Sequence, residues 1–394
     1  MSAGKSRLAQ VRSANGYTQE KLARALGVTR LTVQRWEHGR FSPRPDLRLR
    51  TAALLKVGPD EVGGWFTQAA EAHVPTSAPS PSAPGPETLS RLRAVIFGGG
   101  ARPADMASVD SGKAVLRAHR LYQHADYDGV CRILPGVIAG FDERSTGAAR
   151  RAAGYIAAAK LATKVGDTHL AWVTADRAHR AACEVGNPAL IGVARYQVAA
   201  ALHRSGNTDH AQAVAAEAAD DLARNVEKHP HNVSARGALV LLSAVMFARS
   251  GATSTAQALL AEARALAEEL RVDANHLWTG FGPTNVAIHE LSVAAQSGSV
   301  EHARSLGAVI DTDRMPAVLV GRRAQVHLDL GRTAVTARDD SVAVLHLLEA
   351  ERVANQAVSR NIVARGLIGT LLSREQHGTT PGLRALARRA GVEA

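Results

Sequence analysis

The sequence predicts an all-α protein, and three observations carry that prediction. Ala-rich runs of 12 to 18 residues alternate with Gly-containing breaks while β-branched alternation is nearly absent, so the periodicity is that of helices. The breaks recur as HAD at 124–126, GD at 166–167, GN at 206–207, SGAT at 250–253, SGS at 297–299 and GR at 331–332, at intervals of 42, 40, 45, 47 and 33 residues. Each interval accommodates two helices, and a period of this size marks a helical solenoid. Residues 73–87, HVPTSAPSPSAPGPE, hold five Pro and four Ser or Thr with no aliphatic side chain larger than Val. That composition reads as a linker, reaching about 45 Å at ~3.1 Å per residue when extended. The expected divisions are a small unit at 1–72, the linker at 73–87 and a helical region at 88–394.

The whole chain has 394 residues, 46% hydrophobic and 21% charged, enough for more than one packed core. No run approaches the ~20 apolar residues of a membrane helix, and MSAGKSRLAQVRSANGY has no apolar signal region. Cys131 and Cys183 are too far apart to hold a metal by themselves, so a cytoplasmic location without a membrane partner is expected. Residues 1–72 carry 12 Lys and Arg against 6 Asp and Glu, more than half of the net charge of +11. A positive field of this kind attracts a polyanion.

In order along the chain, the first informative stretch is residues 18–39, TQEKLARALGVTRLTVQRWEHG. Thr18 can cap a helix ending at Leu26, Gly27 supplies a tight turn, and Thr29 can cap a second helix ending near His38. Leu22, Ala23 and Leu26 face Val28, Val33 and Trp36, which leaves Arg30, Leu31, Thr32, Gln34 and Arg35 outside or at the rim. With these residues, 6–72 resembles the phage repressor-type (XRE) helix-turn-helix domain, a five-helix unit.

The resemblance implies that the second motif helix lies in the major groove of double-stranded DNA. Arg30, Leu31, Thr32 and Arg35 match base-facing positions, where Arg can pair with guanine and Leu or Thr can touch a thymine methyl. Gln19, at the start of the first motif helix, matches a phosphate-holding position, Gln34 at the rim of the second helix is a further phosphate contact, and Arg40 and Arg44 lie in the loop that skirts the backbone. Arg12 and Glu37 match a structural salt bridge of such domains. A homodimer on an inverted-repeat operator is expected, because one recognition helix covers too few base pairs.

The helical half resembles tetratricopeptide-type repeats, with longer units than usual and about seven helix pairs from residue 111 in a right-handed solenoid. Small residues at helix-neighbour spacing, Ala171, Ala175, Ala178 and Ala182, then Ala194, Ala199 and Ala201, suit close packing. The combination resembles that of transcriptional regulators of the actinobacterial type. In them such repeats bind a signal peptide, another protein or a sister subunit. Trp278, Asn285 and His289, in NHLWTGFGPTNVAIHE, are the candidate ligand groove, with Arg322 and Arg323 as carboxylate partners. Asn285 and His289 fall on one face at i, i+4 after Pro283; the same residues also suit packing against neighbouring helices. Tyr155, Trp172 and Tyr196 are expected in the core.

Enzymatic patterns are weak. The run Gly98, Gly99, Gly100 follows no strand, and SGKA at 111–114 lacks the residues of a phosphate loop and reads as loop. HExxH and GxSxG are absent, so no catalysis, metal or cofactor is expected. The alternative to a ligand-sensing regulator is a DNA-associated scaffold whose repeats recruit a protein partner.

Overall fold

The computed structural model describes residues 6–38, 43, 45–57, 62, 65, 86–98, 111–141, 146–225, 229–375 and 380–393. Among the described residues there are twenty α-helices, two short 3-10 segments and no strand. Four helices open the chain: α1 (Arg7–Ala14), α2 (Gln19–Leu26), α3 (Arg30–Glu37) and α4 (Pro45–Leu55). Thr18 and Thr29 accept the backbone N–H of Lys21 and Thr32 and so cap α2 and α3. Gly27 ends α2 at φ 71°, a conformation that costs glycine little. Leu8, Leu22, Leu26, Val33, Trp36 and Leu55 form a core of their own, joined by Val62. Of the expected fifth helix only Val62 and Trp65 are described, and both are helical.

The expected linker lies outside the described residues up to position 85. Pro86 and Glu87 instead begin α5 (Pro86–Phe97), since proline suits a first helical turn where its missing N–H has no partner to lose. Ser111 to Ala114 are not a loop either, because they open the next helix.

Six helix pairs follow. They are α6 (Ser111–Gln123) with α7 (Tyr127–Ala139), α8 (Ala148–Val165) with α9 (Thr168–Val185), and α10 (Pro188–Arg204) with α11 (Thr208–Arg224). Then come α12 (Pro230–Arg249) with α13 (Thr253–Leu270), α14 (Pro283–Gln296) with α15 (Val300–Val309), and α16 (Val320–Thr336) with α17 (Asp340–Val353). Shorter helices α18 (Asn355–Ser359), α19 (Ile362–Leu372) and α20 (Leu383–Ala390) stand where a seventh pair was expected.

The turn inside each pair carries one left-handed residue: Ala125, Gly166, Gly206, Gly251, Gly298 and Arg338, 40 to 47 residues apart. The break expected at 331–332 is therefore misplaced. Gly331 lies within α16 against His346 and Leu347, and the turn comes at Arg338, whose side chain hides its conformation from sequence pattern. Asp126, Asp167 and Asp339 then cap the second helix of their pairs through the N–H of Gly129, Leu170 and Val342.

Small residues fill the seams. Ala157, Ala158, Ala159 and Ala162 on α8 and Ala171 and Ala175 on α9 are fully buried. Their neighbour Trp172 is 46% exposed, so it is not a core residue: the alanines beside it occupy the inward positions of α9. Tyr155 is half-buried with its ring edge-on to Phe141 at 5.5 Å. Helix α12 has the length and composition to cross a bilayer, contrary to expectation, with mean hydropathy 1.3 over an 18-residue window, yet 67% of that window is buried. Its apolarity serves packing against α10, α11, α13 and α14.

The row of pairs curls until its end meets its beginning. Arg360 donates from Nε and Nη2 to the two carboxylate oxygens of Asp128 at 3.0 and 2.9 Å, and the Asp128 N–H donates to Gln356 Oε1 at 2.9 Å. Helix α16 also packs on α6. Helix α4 of the N-terminal unit rests on α17, where the Arg48 guanidinium, 5% exposed, donates to Glu349 Oε2 at 2.6 Å.

Gly237 on α12 admits the fully buried Phe281 ring, which anchors the segment before α14; a Cβ there would lie 2.1 Å from Phe281 Cζ. Gly237→Ala is expected to cost about 1–3 kcal/mol, read as a lower melting temperature that Phe281→Leu in the same chain partly restores.

Candidate functional site

Two surfaces carry chemistry, and the first is the outer face of α3. Arg30, Leu31, Gln34 and Arg35 are exposed, Leu31 at 52%. Thr32 is half-buried, and its hydroxyl shares a 2.8 Å hydrogen bond with that of Thr29. Trp36 is 4% exposed and belongs to the core.

The orientation of α3 is fixed from behind by Glu37. Arg12 donates to both of its carboxylate oxygens, at 2.5 Å and 3.5 Å, and also to the Tyr17 carbonyl at 2.6 Å. Gln19 Nε2 donates to the same carboxylate at 2.6 Å. This ties α1, the start of α2 and the end of α3 together in one network, with the charges of Arg12 and Glu37 largely withdrawn from water. Arg40 and Arg44 lie outside the described residues.

Residues 8–62 match the family model described as Helix-turn-helix. The N-terminal unit is an XRE-type helix-turn-helix domain. A long all-helical region of paired helices follows it. No curated protein matches the chain. Helix-turn-helix domains bind DNA, and the exposed face of α3 is where this one presents its polar side chains.

The second surface is internal. A cavity of about 230 Å³ lies between α6, α7, α8, α10, α12, α14, α16 and the turn at 278–279. Of the groove residues expected from sequence, Trp278, Asn285, His289 and Arg322 all line it. Arg323 does not; its Nη2 turns away to donate to the Met315 carbonyl at 3.2 Å. The His289 ring bonds the Asn285 carbonyl through Nδ1 at 2.8 Å, and burial beside Arg322 lowers its pKa to about 3. The ring is therefore neutral.

Sequence reading missed Lys160, Lys164 and Arg204, which line the same cavity. The signal was there: the chain has seven Lys in all, and two of them stand at i, i+4 in the Ala-rich run of α8. Lys160 Nζ donates to the Trp278 carbonyl at 3.0 Å. That carbonyl is aimed inward by Leu277 and Trp278, whose φ values of 46° and 61° are both left-handed, a strain of about 1–3 kcal/mol each. The Trp278 indole stacks on His119 at 3.7 Å, and Gln123, which lines the cavity, exchanges amide hydrogen bonds of 2.7 and 3.1 Å with Asn275. Among the described residues, no three His, Cys, Asp or Glu side chains gather as a metal-holding group.

Burial and the charge of Arg322 bring the Lys160 pKa from 10.5 to about 7, and burial with Arg322 and Arg204 brings Lys164 to about 8. Between pH 7 and 10.5 the unfolded chain thus holds a proton at residue 160 that the fold has released, so stability rises with pH across that window. Lys160→Met is expected to raise the melting temperature most below about pH 7, with the gain shrinking toward about pH 10. A variant that melts below wild type at about pH 6.5 contradicts the cost of this buried cation.

Proposed function

We propose that this protein is a cytoplasmic, sequence-specific regulator of transcription that binds an inverted-repeat operator in double-stranded DNA as a homodimer. Residues 1–72 are the DNA-binding domain, 73–87 a linker, and 88–394 a tetratricopeptide-like solenoid that senses a ligand and pairs the subunits. The observation that carries this reading is the exposed face of α3 on a helix-turn-helix domain braced by Arg12 and Glu37. Arg30, Leu31, Thr32 and Arg35 read bases. Gln19, Gln34, Arg40 and Arg44 hold phosphates, Gln19 through the amide N–H that Glu37 leaves open.

The sensing role is supported by a continuous packing route. Arg322 and Asp329 stand on α16, α16 packs along α17, and α17 carries Glu349 against Arg48 of α4. Glu349 also accepts from Arg352 at 2.9 Å, and these two arginines hold its carboxyl below its ordinary pKa despite burial. A ligand that binds one arrangement of α16 better than another shifts the position of the DNA-binding domain by its differential affinity.

DNA selection with the purified protein is expected to recover an inverted repeat. Arg30→Ala and Arg35→Ala each lose about 1–3 kcal/mol of specific affinity, roughly 5- to 150-fold, with the fold intact. Salt-dependent binding with no enriched site, unaltered by either variant, overturns the reading. Glu349→Ala removes the counter-charge of the buried Arg48 guanidinium, which keeps its hydrogen bond to the Pro43 carbonyl, at a cost of about 3–5 kcal/mol. Limited proteolysis is expected to release the N-terminal domain faster from this variant, with the repeat region equally resistant.

A further inference from the structure

We propose that the inner cavity binds a small phosphorylated metabolite that also carries hydroxyl or amino groups. The inference rests on the reading of the repeat region as the sensing half and names its ligand class.

Charge is the first argument. Lys160, Lys164, Arg204 and Arg322 line the space, and no Asp or Glu does. Asp329 is close enough to act on Lys164 and Arg322, but its carboxylate is held by Ser292 and by Gln325 and lies outside the lining. Four half-buried cationic side chains around one space repel one another, a state that a bound anion relieves. The depressed lysine pKa values described above express the same cost.

Phosphate answers that charge better than carboxylate. A phosphomonoester carries close to two charges and three acceptor oxygens, enough for several Lys and Arg donors at once. A carboxylate carries one charge and is satisfied by a single Arg.

Polarity and size narrow the rest of the molecule. Asn285 Oδ1 and Thr163 Oγ1 are buried without a hydrogen-bond partner, and both residues line the cavity. Asn285 is 1% exposed. The Asn285 Oδ1 acceptor needs an O–H or N–H donor, which the hydroxyl or amino groups of an organic phosphate supply. The volume of about 230 Å³ falls below the ~300–1,000 Å³ of sites for drug-sized ligands. It suits a sugar phosphate rather than a peptide of several residues.

Calorimetric titration of the full chain without DNA tests the inference, using ribose 5-phosphate, inorganic pyrophosphate and tricarballylate, a tricarboxylate without hydroxyl groups, as probes. Ribose 5-phosphate is expected to bind saturably, one per chain, with Kd below about 1 mM and more tightly than either other probe. Arg322→Gln and Lys164→Met weaken it at least about tenfold while melting no lower than wild type, and Asn285→Ala weakens it several-fold. Arg30→Ala and Arg35→Ala leave it unchanged. The proposal is overturned by the absence of saturable ribose 5-phosphate binding, by tricarballylate binding as tightly, or by binding lost in Arg30→Ala and kept in Arg322→Gln. Operator binding is measured separately. Its loss alone removes the regulator reading, and loss of phosphate binding alone removes only the cavity's assignment.

Discussion

The paired hydrogen bonds between Arg360 and Asp128 join segments that lie 232 residues apart in sequence, and together with the packing of α16 on α6 they close the row of helix pairs around its interior space. A row of helix pairs left open would expose its concave side to water along its whole length. Here the curl brings α16 to α18 back onto α6 and α7, so side chains from the first, middle and last pairs surround one volume. The closure is possible because alanine and glycine fill the seams. Larger residues at positions such as Ala158, Ala171 or Gly237 hold neighbouring helices apart, and the row would not turn tightly enough to meet itself.

What was legible in the sequence was local. The helix-turn-helix domain could be read because its caps, its turn glycine and its core spacing all lie within residues 18–39. The repeat turns could be read wherever glycine marked them, at 166, 206, 251 and 298. They were lost where Arg338 adopts the same left-handed backbone without glycine, which is why the last break was assigned to Gly331. The cavity itself was half legible. Residues 275–290 stand out as polar and aromatic against alanine, whereas Lys160 and Arg322 are brought together by closure of the ring, a contact that no local pattern encodes. Arg323 shows the limit from the other side: its neighbour faces inward, and one step along the helix turns it out by about 100°.

The two halves place their charge in opposite settings. On α3 the side chains of Arg30 and Arg35 are exposed, where a charge costs the fold little. In the cavity the lysines and arginines are half-buried, and the fold bears their mutual repulsion. A chain that uses arginine almost everywhere keeps lysine at 160 and 164, where an ammonium can release its proton when the space is empty. The same substitution that relieves the fold removes the group able to hold an anion, an opposition of stability and function that marks sites rather than scaffolding.

The cavity wall at Gln123 is fastened to Asn275, two neutral amides that exchange hydrogen bonds. Neither bears a charge, so ionic strength and pH act only weakly on their bond. Attraction of the N-terminal domain to a polyanion changes by orders of magnitude over the same range of salt. One molecule therefore pairs an internal fastening that salt leaves in place with a DNA-binding face whose attraction salt weakens.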